Sequence, residues 1–178
     1  MTITRVKDTA HSVLQPENDL SGPEVLRVFD FDGTLFRSPD KPVGWRGGWA
    51  WDAVSLSPPH VPLDPGPEMW NWDAVSAALT SQADPDAVTI MITGRPERLR
   101  RRVEEILQSG GLTGFDSVHL LDGGETGQFK IRTMSRILDS YPSIREVEIW
   151  DDRQDLAARY RDWIVGERGL KSVIHHVA

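Results

Sequence analysis

Two carboxylates stand one residue apart at the end of an apolar run, in Val25-Leu26-Arg27-Val28-Phe29-Asp30-Phe31-Asp32-Gly33-Thr34-Leu35. A short β-favouring run closed by a turn signal suits a buried strand of a parallel sheet. In open α/β sheets, reactive groups sit just past the carboxyl ends of such strands. The turn that follows can aim Asp30 and Asp32 at one pocket. Gly33 can adopt a backbone conformation closed to other residues, which lets peptide N–H groups approach an anion closely. An ordinary surface turn would need neither the second carboxylate nor the hydroxyl in this order.

The rest of the chain must position these groups. Strands are predicted at about 25–30, 87–92, 117–121, 146–150 and 172–177, each an apolar or β-branched run. Helices are predicted between them. One spans Glu68 to about Ser81 with Trp72, Val75, Ala78 and Leu79 on one face. The next starts at Pro96, carries Leu99, Val103, Ile106 and Leu107 inward and stops at Gly110-Gly111. A third is opened by Phe129-Lys130, with Ile131, Met134, Ile137 and Leu138 as its stripe. A last one carries Leu156, Tyr160, Trp163 and Ile164. Strands alternating with helices imply an α/β fold, a three-layer doubly wound parallel sheet of about five strands.

Two stretches fall outside this alternation. Residues 1–23 lack periodicity and are expected to be an extension, partly disordered, ahead of a single domain over 24–178. Residues from about 36 to 70 are dense in Pro, Gly and Trp, which forbids a long helix or central strand and predicts a small insert packed as its own unit. Five of the seven tryptophans lie between Trp45 and Trp72. Trp45, Trp49 and Trp51 either plug this insert onto the core or stack on bases.

At the strand ends the sequence places Asp30/Asp32, Thr93-Gly94-Arg95, Lys130 and Asp151-Asp152-Arg153. Singly, each later motif has a plain explanation: a turn threonine, a solvated lysine, a helix N-cap. Together, and in this order, they resemble the four motifs of the haloacid dehalogenase superfamily, D-x-D-G-T-L first. The runs FDFDGTLF, GGWAWDAVSL, ITGR, GLTGFDSVHL, TGQFK and EIWDDRQDLAARYRDW are similar to the haloacid dehalogenase domain of Swiss Army Knife RNA-repair-like proteins, over about residues 26–163. Asp151 stands where that group usually has Glu, and Leu156 where a His is expected.

The resemblance implies a Rossmann-like fold and a phosphatase acting through an aspartyl-phosphate. Asp30 is the expected nucleophile, Asp32 the general acid and then base, Thr93 a donor to the phosphoryl group, and Lys130 the neutralising cation. Mg²⁺ is the expected cofactor, with Asp30, Asp32, Asp151 and Asp152 as the expected metal residues. Gly33, Thr34, Gly94, Arg95, Arg153 and Trp49 are the expected phosphate or substrate contacts. By analogy with the 3′-phosphatase half of polynucleotide kinase-phosphatases, the expected substrate is the 3′-phosphate end of RNA or DNA, with a kinase or ligase as partner. A small phosphate ester, and a module that binds nucleic acid or protein without turnover, are the alternatives.

Composition narrows the field further. A formal charge of −7 argues against holding a polyanion by bulk electrostatics, so any grip must be local. The absence of cysteine excludes disulfides and thiolate chemistry. No signal-peptide pattern or membrane-length apolar run is present, so a cytoplasmic location is the expectation. The remaining arginines of the run at 98–102 are expected to form a solvated face with Glu97, Glu104 and Glu105.

Overall fold

The structure is a computed structural model and describes residues 22–178. The expected N-terminal extension lies, up to residue 21, outside the described residues. Five strands form one sheet: β1 (Val25–Phe29), β2 (Ala87–Pro96), β3 (Ser117–Leu121), β4 (Glu146–Asp151) and β5 (Lys171–His176). Every pairing is parallel, and the order is β3-β2-β1-β4-β5. The chain steps outward from β1 in one direction and then returns to start again from its other side. The switch in direction falls between β1 and β4, where open α/β sheets place their ligand crevice.

Strand periodicity builds the two faces. Phe29, Met91 and the partly exposed Trp150 share one face with Val75 and Ala78 of α1 (Trp72–Gln82) and Val103, Ile106 and Leu107 of α2 (Arg100–Ser109). Leu26, Val28, Ile90, Ile92, Val147 and Ile149 pack the other face against α3 (Thr126–Ser140) and α4 (Gln154–Arg161). Trp163 and Ile164, in the wider π-helical turn over Asp162–Glu167, complete that side. Glycine ends α2 as expected, with Gly111 at φ +75°.

Four boundaries differ from the sequence expectation. The segment from Glu68 is a 3₁₀ turn over Pro67–Met69, and α1 starts only at Trp72, because Trp70 instead makes an antiparallel bridge to Phe36. Trp72 and Leu79 face outward, and Ala74 and Ser81 take their places in the buried phase. Pro96 is the last residue of β2 rather than the first of a helix, and α2 proper begins at Arg100. The helix expected to open at Phe129-Lys130 begins three residues earlier, because the Glu125 carboxylate caps it by accepting from Gly127 N and Gln128 N. Lys130 therefore sits in the second turn of α3, with its side chain turned into the core.

The insert leaves and rejoins the core at one place. Arg37 N donates to Met69 O at 2.8 Å and Asn71 N to Leu35 O at 3.1 Å. Between these ties it supplies Leu56, Val61 and Trp70 to the same hydrophobic cluster as α2. Arg102, expected on a solvated face, donates to the carbonyls of Leu56 and Pro62 at 2.8 and 2.6 Å. Arg100 and Arg101 do pair with Glu97, Glu104 and Glu105. No helix of the described residues is long and apolar enough to cross a membrane.

Candidate active site

Asp30 follows β1 directly, and its N–H donates to Trp150 O at 3.0 Å, extending the ladder between β1 and β4 by one residue. This places Asp30 beside Asp151, the last residue of β4. Lys130 Nζ reaches between them, donating to Asp30 Oδ1 at 2.8 Å and to Asp151 Oδ2 at 2.7 Å. All three side chains are buried. Tyr160 of α4 donates its hydroxyl to Asp151 Oδ2 at 3.2 Å, and Arg153 N donates to Asp151 Oδ1 at 2.9 Å. Tyr160 read in the sequence as one more member of an apolar stripe. The need of a buried phenol for a partner was its only signal.

Asp30, Asp151 and the more open Asp152 each offer an oxygen, and these oxygens lie within 4.8 Å of one another. Burial pushes Asp30 up to about 8, with Lys130 pulling the other way and Asp151 and Asp32 adding to the rise. Asp152 is also raised, by burial and then by Asp151. Burial pulls the Lys130 ammonium down, but Asp30, Tyr160 and Asp151 outweigh it and the net shift is upward. Three carboxylates share one ammonium here, so a hard divalent cation with oxygen ligands fits the site and would relieve the crowding.

Gly33 explains why Asp152 can approach. Its φ is +71°, and a Cβ there would lie 2.4 Å from Asp152 Oδ2. Both the backbone conformation and the close contact exclude a side chain. Thr34 is fully buried, and its hydroxyl has no hydrogen-bond partner among the described residues.

The side chain of Asp32 lies outside the carboxylate cluster, which departs from the expectation that it joins the metal set. Arg95 takes it in a fork, with Nε at 2.9 Å from Oδ2 and Nη2 at 2.6 Å from Oδ1. Ser38 donates to the same carboxylate, and Thr93 Oγ1 lies 3.4 Å from Oδ2, a long contact. Thr93 is fully buried and accepts from Arg95 N at 3.1 Å, a turn that fixes the start of the arginine. The Arg95 guanidinium is only 2% exposed, and its Nη1 donates to Ala50 O at 2.9 Å and to the Ser55 hydroxyl. One arginine thus joins Asp32 to the insert. Ser38 and Ser55 carried no signal in the sequence, because only the path of the insert brings them here.

Three expected substrate contacts are placed otherwise, and Arg95, committed to Asp32 and the insert, is the first. Trp49 is buried at 7% exposure, donates to Pro39 O at 2.8 Å, and meets Trp45 and His60 edge to face. Its ring closes the insert instead of lining the crevice. The Arg153 guanidinium is turned to Asp155, at 2.5 Å from Oδ2. Gly94 lies against Thr126 at the start of α3, 3.0 Å from where a Cβ would sit, so it brings β2 and α3 together beside the crevice. Leu156 is buried in the core, where Gly127 packs on it.

Comparison with known proteins agrees with this architecture. A chain of the Pnkp1/Rnl/Hen1 RNA repair complex superposes with a TM-score of 0.60 at 16% identity, over 94% of this chain and 48% of that one. The HAD domain of effector protein Lem4 from Legionella pneumophila gives 0.55 at 14% identity, over 86% of each chain. At these identities the likeness is one of fold. An uncharacterized protein of Saccharomyces cerevisiae is 28% identical over 158 residues, 72% of this chain and 34% of its own length. The chain therefore spans about a third of that relative and about half of the repair-complex chain. The family model described as HAD domain family 1 in Swiss Army Knife RNA repair proteins matches residues 46–171. That match covers well over half of the chain, and the protein belongs to this family of HAD domains.

Proposed function

We propose that the protein is a Mg²⁺-dependent phosphohydrolase that works through an aspartyl-phosphate on Asp30 and removes the terminal 3′-phosphate of RNA or DNA. The observation that carries this reading is Lys130, buried between Asp30 and Asp151 at 2.8 and 2.7 Å beneath a cluster of three carboxylates. A lysine so placed holds Asp30 Oδ1 and leaves Oδ2 to attack phosphorus. As the new P–Oδ2 bond forms, the bond to the leaving oxygen breaks, and Asp32 gives that oxygen a proton. Asp32 then takes a proton from the water that cleaves the phosphoaspartate, which frees inorganic phosphate and restores both residues. Arg95 and Ser38 orient Asp32 for these transfers, and the Thr93 hydroxyl borders the same space. Mg²⁺ held by Asp30, Asp151 and Asp152 would supply charge to offset that developing on the phosphoryl oxygens.

The polynucleotide end is supported by the family, one of HAD domains in RNA repair proteins, and by the fold shared with a chain of an RNA repair complex. Work beside a kinase or ligase belongs to the same proposal. The test is phosphate release from 3′-phosphorylated RNA and DNA, with 5′-phosphate and 2′,3′-cyclic ends, a nucleotide and an aryl phosphate alongside. Mg²⁺-dependent release from 3′ ends, reduced about a thousandfold or more in Asp30→Asn, supports the reading. Tight oligonucleotide binding with no release in any metal would replace it with a binding module.

A further inference from the structure

The insert presents an indole to solvent beside the crevice, and a cavity opens next to it. Of the three tryptophans nearest the Gly-rich turn, Trp49 is buried and Trp45 half-buried, whereas Trp51 is 51% exposed. Its ring is nonetheless held. A Cβ on Gly48 would sit 3.5–3.6 Å from three ring atoms, so the glycine backs one face of the indole. Arg98 Nη2 donates to the Trp51 carbonyl and fixes the backbone. The preceding residue, Ala50, gives its carbonyl to Arg95, the residue that grips Asp32. One peptide unit, about 3.8 Å between Cα atoms, therefore separates Trp51 from a residue tied to the crevice.

The adjoining cavity has a volume of about 300 Å³. Trp51, Pro96 and Leu121 give it apolar lining, Gly123 and Gly124 give bare backbone, and Arg98 and Asp122 bring opposite charges. Pro96 follows Arg95 in the chain, and the glycines lead into α3, whose Thr126 packs on Gly94. Through Pro96 the cavity lies one residue along the chain from Arg95, which grips Asp32, and through Gly124 it lies two residues from the start of α3.

We infer that this cavity is a subsite for the nucleobase of the nucleotide that carries the phosphate, with Trp51 as its stacking platform. The inference rests on the polynucleotide reading above and assigns that reading a specificity residue. An indole backed on one face offers the other to a planar ring, and such stacking tolerates any base. Arg98 favours the neighbouring phosphodiester, and Asp122 accepts from an exocyclic amino group. In an acidic protein this is the local grip that net charge does not supply.

The experiment compares a short single-stranded oligonucleotide ending in a 3′-phosphate with the same oligonucleotide abasic at its last position, and includes acetyl phosphate as a substrate without nucleotide. The ratio of kcat/KM for the base-bearing end over the abasic end is expected to be about ten or more in the wild type. It is expected to fall to near one in Trp51→Ala and to be largely kept in Trp51→Phe. A ratio near one in the wild type, or one unchanged in Trp51→Ala, overturns the subsite while phosphate release from either oligonucleotide or acetyl phosphate leaves the phosphatase reading standing. If the wild type releases phosphate from none of the three, the phosphatase reading fails. The ratio of Kd values for the same two oligonucleotides then decides the subsite by the same criterion.

Discussion

The crevice has a floor and a side, and they are built differently. Asp30 directly after β1, Lys130 in α3 and Asp151 at the end of β4 stand on elements whose positions the sheet fixes, and all three are buried. Asp32 is held from the side by Arg95 and Ser38, and Arg95 in turn depends on Ala50 and Ser55 of the irregular insert. The floor is rigid because the packing of regular elements determines it. The side is positioned by hydrogen bonds to a loop segment, so it can change without moving the sheet.

Perturbing one region at a time separates them. The largest structural effect is expected at Lys130. Lys130→Met leaves Asp30 and Asp151 without their shared cation and should cost about 3–5 kcal/mol of stability in urea unfolding without Mg²⁺. Added Mg²⁺ should recover part of that loss. An unfolding midpoint equal to wild type would mean that the floor does not depend on the pair.

Arg95→Ala acts on the side. It frees Asp32 and cuts two ties to the insert, so phosphate release should fall about a hundredfold with the global unfolding transition far less affected. Trypsin should then cut faster after Arg46, within the released segment. Equal loss of activity with no change in cleavage would show that Arg95 serves Asp32 alone.

The ionisation of Asp30 gives a third contrast. Its folded-state value of about 8 lies above the ordinary 3.8, so between these pH values the folded chain holds a proton that the unfolded chain has lost. Stability of the Mg²⁺-free protein should therefore fall as pH rises through that window, on the order of 1 kcal/mol per pH unit. Mg²⁺ held by Asp30 would take the place of that proton, so its thermal stabilisation should be larger at about pH 8.5 than at about pH 6. The same gain at both values would detach Asp30 from the ion.

The smallest effect is expected at Arg102, which ties the insert to α2 but touches neither Asp32 nor Arg95. Arg102→Ala should cost about 1–2 kcal/mol, read from the unfolding midpoint, and leave kcat within about twofold. A large drop in kcat would mean that the whole insert, and not only its Arg95 contacts, sets the position of Asp32.

The same contrast explains what could be read in advance. The five strands and the convergence of Asp30, Lys130 and Asp151 follow from local runs and from the rule that strand ends face one crevice. The third strand was expected at 117–121 and lies there. The start of α3 is hidden because a single carboxylate, that of Glu125, caps it, and the phase of α1 is hidden because Trp72 and Leu79 are apolar yet outward. In both cases the deciding partner is distant in sequence or is a single cap. The insert was legible as a packed unit but its ties were not. Nothing local distinguishes Arg98 and Arg102, which reach inward to carbonyl groups, from Arg101, which pairs with Glu105 along the helix.

Because Arg37 and Met69 are hydrogen-bonded neighbours, the stretch between them begins and ends at nearly the same point in space. Its length is invisible to the strands, and lengthening such a loop costs only slowly growing closure entropy. A recombinant chain could exchange this stretch for another, provided Ser38, Leu56, Val61 and the acceptors of Arg95 are replaced in kind. The side of the crevice is then open to redesign, with Asp30, Lys130 and Asp151 beneath left as they stand.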